Sequence, residues 1–121
     1  MHNENQITEN NTVNVPELKA VPFKAVSHSK HIQADGVYTK ATYVRENVKF
    51  YSKKLPQSHM TILAHGEMLV VNGEEKIRFI APAVYVIPAE TRIMCFSMTD
   101  CVYYCIHVTD ETDLEKLEEM Y

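Results

Sequence analysis

From Val37 onward the chain is a series of short runs rich in β-branched and aromatic residues, and in the first of them apolar and polar side chains alternate, the period-two signature of a β-strand with one buried face. The runs are VYTKATYV (Val37 to Val44), VKFYS, HMTILAHG, EMLVVNG, EKIRFIAP, AVYVIPAE, RIMCFSM and CVYYCIHVT. About eight strands over roughly 75 residues, separated by turn-forming residues, predict an all-β antiparallel sandwich or barrel. Asn72-Gly73 predicts a type I′ hairpin turn, in which both central residues take positive φ, and His65-Gly66 marks a break or bulge. Pro82 and Pro88 lack a ladder donor, so they bracket a short strand, AVYVI.

The two ends depart from this pattern. Residues 1–15, dominated by Asn, Glu, Gln and Thr, predict a mobile polar arm. Residues 16–36, which include most of VPELKAVPFKAV, predict an extended segment along a sheet edge. Residues 37–121 form the barrel and a short C-terminal helix. In that tail Thr112 and Glu115 have capping-box spacing, and Leu114, Leu117 and Tyr121 recur at helical spacing that would dock them on the sheet. His28 and His31, in HSKHI, read as part of a solvated loop.

Composition narrows the function classes. A chain of 121 residues with 45% hydrophobic and 23% charged side chains fits one globular domain. The net charge of -4 gives no basic face for nucleic-acid phosphates, so no nucleic-acid partner is expected. The apolar runs Phe79 to Pro88 and Cys101 to Val108 are too short to cross a bilayer as helices, and MHNENQITENN has no basic segment leading into an apolar one. The expected location is the cytoplasm, with no membrane partner. Cys95, Cys101 and Cys105 are odd in number and form no CxxC, which argues against a disulfide framework or thiolate zinc site and for small apolar core residues. G-x-S-x-G and G-x-x-x-x-G-K motifs are absent, and DETDLEKLEE lacks the glycine and ligand spacing of a calcium loop.

SHMTILAHGEMLVVNGEEKIRFIAPAVYVIPAETR carries a histidine-bearing strand, a glycine turn, a VVNGEE hairpin and an IAPAVYVIPAE strand pair. With the closing YYCIHVTDETDLEKLEE, it resembles the cupin superfamily, whose fold is a small jelly-roll β-barrel. Tyr104 to Glu119 is similar to small cupin-like proteins encoded by tailed bacteriophages, which implies a host-cytoplasm location. The resemblance covers Val37 to Glu119. It also implies a divalent ion held by an H-x-H pair, a third ligand a few residues on, and a last histidine after a Pro-x-Gly-type turn. Here Lys53 and Leu55 stand at the paired positions, Glu90 replaces the turn glycine, Ile93 replaces the last histidine, and only His59 remains, as the third ligand.

Other residues could rebuild a site only in part. His59, Thr61, Leu63 and His65 share parity in a regular strand, but His59 and His65 would lie roughly 20 Å apart. His107, on the last strand, could approach His59 across the barrel, so these two are the weak metal candidates. A degenerate metal site, no cofactor and no catalytic residues are the expectation.

The candidate ligand-binding residues are His59, Thr61, Arg92, His107, Tyr51 and Tyr104. Arg92 could clamp a carboxylate or phosphate, against the alternative of a surface ion pair. The leading expectation is a non-catalytic, cupin-like module for a small polar or anionic ligand or a partner. The alternatives are an oligomeric structural protein, a phage anti-defence protein sequestering a nucleotide-derived signal, and a metal-dependent cupin enzyme. Convergence of His59, Thr61, Arg92 and His107 would favour binding. The arm and tyrosine-rich strands predict a homodimer.

Overall fold

The structure is a computed structural model that describes residues 6–8, 19–22 and 27–121. Its strands are β1 Gln6–Thr8, β2 Ser27–Ala34, β3 Val37–Val44, β4 Lys49–Tyr51, β5 His59–His65, β6 Glu67–Asn72, β7 Glu75–Ile80, β8 Ala83–Ile87, β9 Met94–Ser97 and β10 Cys101–Val108. Helix α1, Leu114–Met120, follows. The strands make two five-stranded sheets, ordered β1-β7-β6-β9-β4 and β2-β3-β10-β5-β8, with antiparallel pairing throughout.

The alternation seen in the sequence is what joins the sheets. Leu63, Ala83 and Tyr103 from one sheet and Met68, Val70, Ile77 and Phe79 from the other form a single buried cluster. The rings of Phe79 and Tyr85 stack across it at 4.0 Å between centroids. Burial of this apolar surface is the main favourable term holding the two layers together.

Several local expectations need correction. HSKHI lies in strand β2, which pairs with all of β3 from Ser27↔Val44 to Ala34↔Val37, so His28 and His31 are not in a loop. Asp35-Gly36, with Gly36 at φ 75, closes that hairpin. Gln6–Thr8 falls within the stretch expected to be a mobile arm, yet it pairs with β7, because an open sheet edge accepts main-chain partners whatever their side chains. The rest of the arm lies outside the described residues. The β6–β7 turn is Gly73-Glu74, between the pair Asn72↔Glu75, and of Asn72, Gly73 and Glu74 only Gly73 has positive φ, so a type I′ turn at Asn72-Gly73 does not form.

Helix α1 is also capped differently. Asp113, not Thr112, is its N-cap, and the Asp113 carboxylate accepts from the Glu115 N–H at 3.0 Å. The Glu111 carboxylate accepts from the Thr112 and Asp113 amides instead. Aspartate caps as well as threonine does, and this placement starts the helix one residue later. Leu117 is fully buried, whereas Leu114 is exposed.

Candidate functional site

The sandwich is filled at one end and open at the other. At the open end lies a cavity of about 430 Å³. Strand parity decides what faces it. On β5 the inward residues are His59, Thr61 and Leu63; Leu63 joins the core, while His59 and Thr61 line the cavity. The register Cys105↔Thr61, Ile106↔Met60 carries on to set His107 of β10 directly across from His59, and the two rings lie 4.6 Å apart. Lys40 and Thr42 enter from β3, and Tyr85 and Ile87 from β8. The facing sheet supplies Phe50, Met68 and Cys95 as apolar wall.

Histidine parity fails at one point. Tyr103 faces Leu63, but Val102 faces His65, so one step on β10 spans two on β5 and Ala64 is the extra residue of a bulge. That step turns His65 onto the Val102 side, where it is exposed. His59 and His65 therefore do not share a site.

The C-terminal helix closes part of the mouth. Tyr121 stacks on His107 at 4.0 Å and lies 5.6 Å from Tyr38. His31 touches both elements: its Nδ1 is hydrogen-bonded to the Tyr38 hydroxyl and its Nε2 pairs with Glu118 at 2.9 Å. The Lys53 and Lys40 ammonium groups donate to the main-chain oxygens of Glu119 (2.5 Å) and Tyr121 (3.3 Å), placing positive charge at the negative end of the helix. His31 and Glu118 were not among the sequence candidates; the Asp35-Gly36 hairpin signal could have revealed His31, because it pairs β2 with β3 and sets His31 opposite Lys40, whereas no local signal docks Glu118 of helix α1 beside it.

Electrostatics divide the cavity into a neutral interior and a charged rim. Burial pushes the His107 pKa down to about 4, helped by His59 and Lys40, and burial also lowers that of His59. Both rings are therefore neutral near pH 7. His59 Nδ1 is buried and has no hydrogen-bond partner among the described residues. Burial raises the Cys105 thiol to about 11, and the Thr61 hydroxyl lies 3.7 Å from its sulfur, so Cys105 is a protonated thiol rather than a nucleophile. Burial holds Cys95 well above its ordinary value too.

At the rim stand the exposed residues Tyr51, Lys53 and Arg92. The Arg92 guanidinium carbon lies 4.4 Å from the centre of the Tyr51 ring. A surface ion pair is the alternative for Arg92, but among the described residues no carboxylate pairs with it; Glu90 instead lies 3.9 Å from Lys54. Stacking on Tyr51 leaves the guanidinium edge free to donate.

Comparison with known proteins gives a fold and no closer kinship. No family model matches the chain, and no curated protein matches it. Solved structures do. A cupin superfamily protein from Desulfitobacterium hafniense superposes with a TM-score of 0.62 at 15% identity, covering 81% of this chain and 97% of that one. A cupin-2 domain protein from Shewanella frigidimarina gives 0.59 at 15% identity, over 68% and 80%. The fold is a cupin-type jelly roll. An ectoine synthase from P. lautus shares this cupin-type fold with a TM-score of 0.65 at 12% identity, over 78% of this chain and 72% of that one. These neighbours are bacterial proteins and lend no support to a phage origin.

The cupin-type fold raises the question of a metal, and the side chains answer it. Lys53, Leu55 and Ile93, at the positions where ligands would stand, do line the cavity beside His59. None of them suits a divalent ion: an ammonium repels it, and leucine and isoleucine carry no donor. Among the described residues no three His, Cys, Asp or Glu side chains converge to hold one. The donor set present does not fit a resident metal.

Of the six candidate ligand-binding residues, five line this cavity: His59, Thr61, His107, Arg92 and Tyr51. Tyr104 does not. It faces Ala41 and Ile62 on the outer side of its sheet, because β10 alternates with Tyr103, Cys105 and His107 pointing inward. No helix among the described residues is long and apolar enough to cross a membrane.

Proposed function

We propose that this cupin-type barrel is a binding module for a small organic anion with an apolar body, acting without a resident metal. The observation that carries the reading is the cavity itself: largely apolar walls with Arg92, Lys53 and Lys40 on its lining against one acidic side chain among the described residues, Glu118. A carboxylate or phosphate head would meet the Arg92 edge in bidentate fashion, with the positive charge of Lys53 beside it at the rim. The apolar portion would lie against Phe50, Met68, Ile87 and Ile93, where water is displaced at a gain of about 25 cal/mol per Å² of apolar surface. His59, through its unpartnered Nδ1, and Thr61 supply neutral hydrogen-bonding groups that orient the ligand.

A nucleotide-derived signal, one of the alternatives, shares the anionic head, so it belongs in the same experiment. Titration calorimetry with octanoate, phenyl phosphate, a cyclic nucleotide and ADP-ribose is expected to show saturable binding of at least one. Arg92→Ala should weaken that binding by roughly tenfold or more, the loss of a charge-assisted contact worth about 1.5–3 kcal/mol. Heat from none of the four at millimolar concentration, or unchanged affinity in Arg92→Ala, would defeat the proposal.

A further inference from the structure

The outer face of the β2-β3-β10-β5-β8 sheet is apolar where a water-facing sheet should be polar. Parity sends Tyr103, Cys105 and His107 inward, so Val102, Tyr104, Ile106 and Val108 of β10 point away from the core. The register aligns their neighbours into rungs. One rung reads Ile32, Thr39, Ile106, Met60, Val86 across all five strands. The next reads Lys30, Ala41, Tyr104, Ile62, Val84. Met60, Val84 and Val86 are 45%, 41% and 46% exposed, and Ile32 is 57% exposed. An antiparallel sheet with one solvated face ordinarily alternates apolar inside with polar outside, and this one does not.

We propose that this face docks a second copy of the same chain, sheet against sheet, about a two-fold axis through β10. Three observations favour that occupant. The outward positions of β3, β5, β8 and β10 within these rungs carry no charge, so the face offers nothing to nucleic acid or to an acidic or basic peptide. The chain carries a net charge of -4, and this is a surface where two like-charged copies can meet without opposing charges of one sign. Third, the face is the right size and is centred on its middle strand. Five strands at about 4.8 Å spacing and about 20 Å of strand length give a footprint near 20 by 24 Å. With the relief of its side chains, that approaches the roughly 800 Å² per partner of a stable interface. A two-fold axis at β10 lays β10 on β10 and each flank on the opposite flank, the self-complementary arrangement of an isologous dimer.

The other sheet differs. Its outward apolar residues Leu69, Met94 and Phe96 are already buried in a second cluster, and β7, with Ile77 and Phe79 in the core, turns Lys76 and Arg78 outward.

Light scattering coupled to gel filtration, on the full chain at tens of micromolar, tests the proposal. The expected mass is twice 13.9 kDa. Ile106→Glu at the centre, and separately Met60→Glu with Val86→Glu on the flank, should each shift the protein to the monomer mass, while Lys76→Glu on the other sheet leaves the dimer intact. Circular dichroism establishes that each variant is folded; should Ile106→Glu fail to fold, the flank variant at two half-exposed positions decides. A native monomer at this concentration would overturn the proposal. So would a dimer that survives the face variants, or one that instead dissociates when residues 1–18 are removed, which would assign the contact to the amino-terminal segment.

Discussion

Gly66→Ala is expected to lower the melting temperature by roughly 10 °C or more, a larger loss than at either other glycine. Gly66 is the single residue between β5 and β6, which belong to different sheets, so it is the corner at which the chain crosses the sandwich. Its φ is 95, a conformation that costs a residue with a side chain about 1–3 kcal/mol. The corner is crowded as well. A Cβ there would run into the main-chain oxygen of Asp100, and would come within 2.7 Å of the Thr99 hydroxyl. Those two residues cannot simply withdraw, because the Thr99 hydroxyl accepts from the Glu67 amide at 3.0 Å and Cys101 contacts the Glu67 carbonyl at 3.2 Å. Gly36→Ala is the matched control. Its φ of 75 is also positive, but nothing lies within 4 Å of an added Cβ, so only the conformational cost of about 1 kcal/mol applies. Similar melting temperatures for the two variants would show that the corner is not crowded.

Stability is expected to fall as pH drops from about 6.5 to about 4, with His107 the largest single contributor among the histidines. The direction follows from linkage. In the folded protein burial, with help from His59 and Lys40, depresses the His107 pKa to about 4, while in the unfolded chain it titrates near 6.5. Between those values the unfolded chain binds a proton that the folded one refuses, so the contribution is fully present above 6.5 and is lost on acidification. At about 1.36 kcal/mol per pKa unit, the loss is at most about 3.5 kcal/mol. His59, depressed by the same burial, adds in the same direction. Glu118, His31 and the Tyr121 ring face the same corner, so the informative quantity is the difference between native protein and His107→Gln. Urea unfolding from pH 8 to pH 4 should show a shallower decline for the variant; parallel curves would mean His107 is not held neutral.

Much of the fold could be read from the sequence because turn residues punctuate the strands, as Pro82 and Pro88 bracket β8, and because β7 alternates cleanly, with Ile77 and Phe79 inward and Lys76 and Arg78 outward. Strand β2 could not be read that way: Ser27, Ser29 and His31 point the same way as the core residues of β3, so neither face of β2 is apolar enough to contrast with the other. Strand β9 is buried at all four positions and so shows a continuous apolar run rather than alternation.

The site was partly legible. Convergence of His59 with His107 depends on the β5–β10 register, which no local pattern encodes, although both residues could be named from their strands. Tyr104 was misplaced for a physical reason. Strand β10 is apolar on both faces, so parity groups Tyr104 with Val102 and Ile106 without telling which group faces inward. The same double-sided apolarity that hid the inside of β10 is what makes its outside a docking face.

The proposed function requires an anion to enter the barrel beside the two neutral histidines. An NMR titration with octanoate and phenyl phosphate, following the histidine ring C–H signals, tests this most directly. The predicted result is that the His59 and His107 signals move together and saturate, while those of His28 and His65, both exposed outside the cavity, stay in place. Signals of His59 and His107 that remain still for both anions, or that move only in step with His28 and His65, would contradict it.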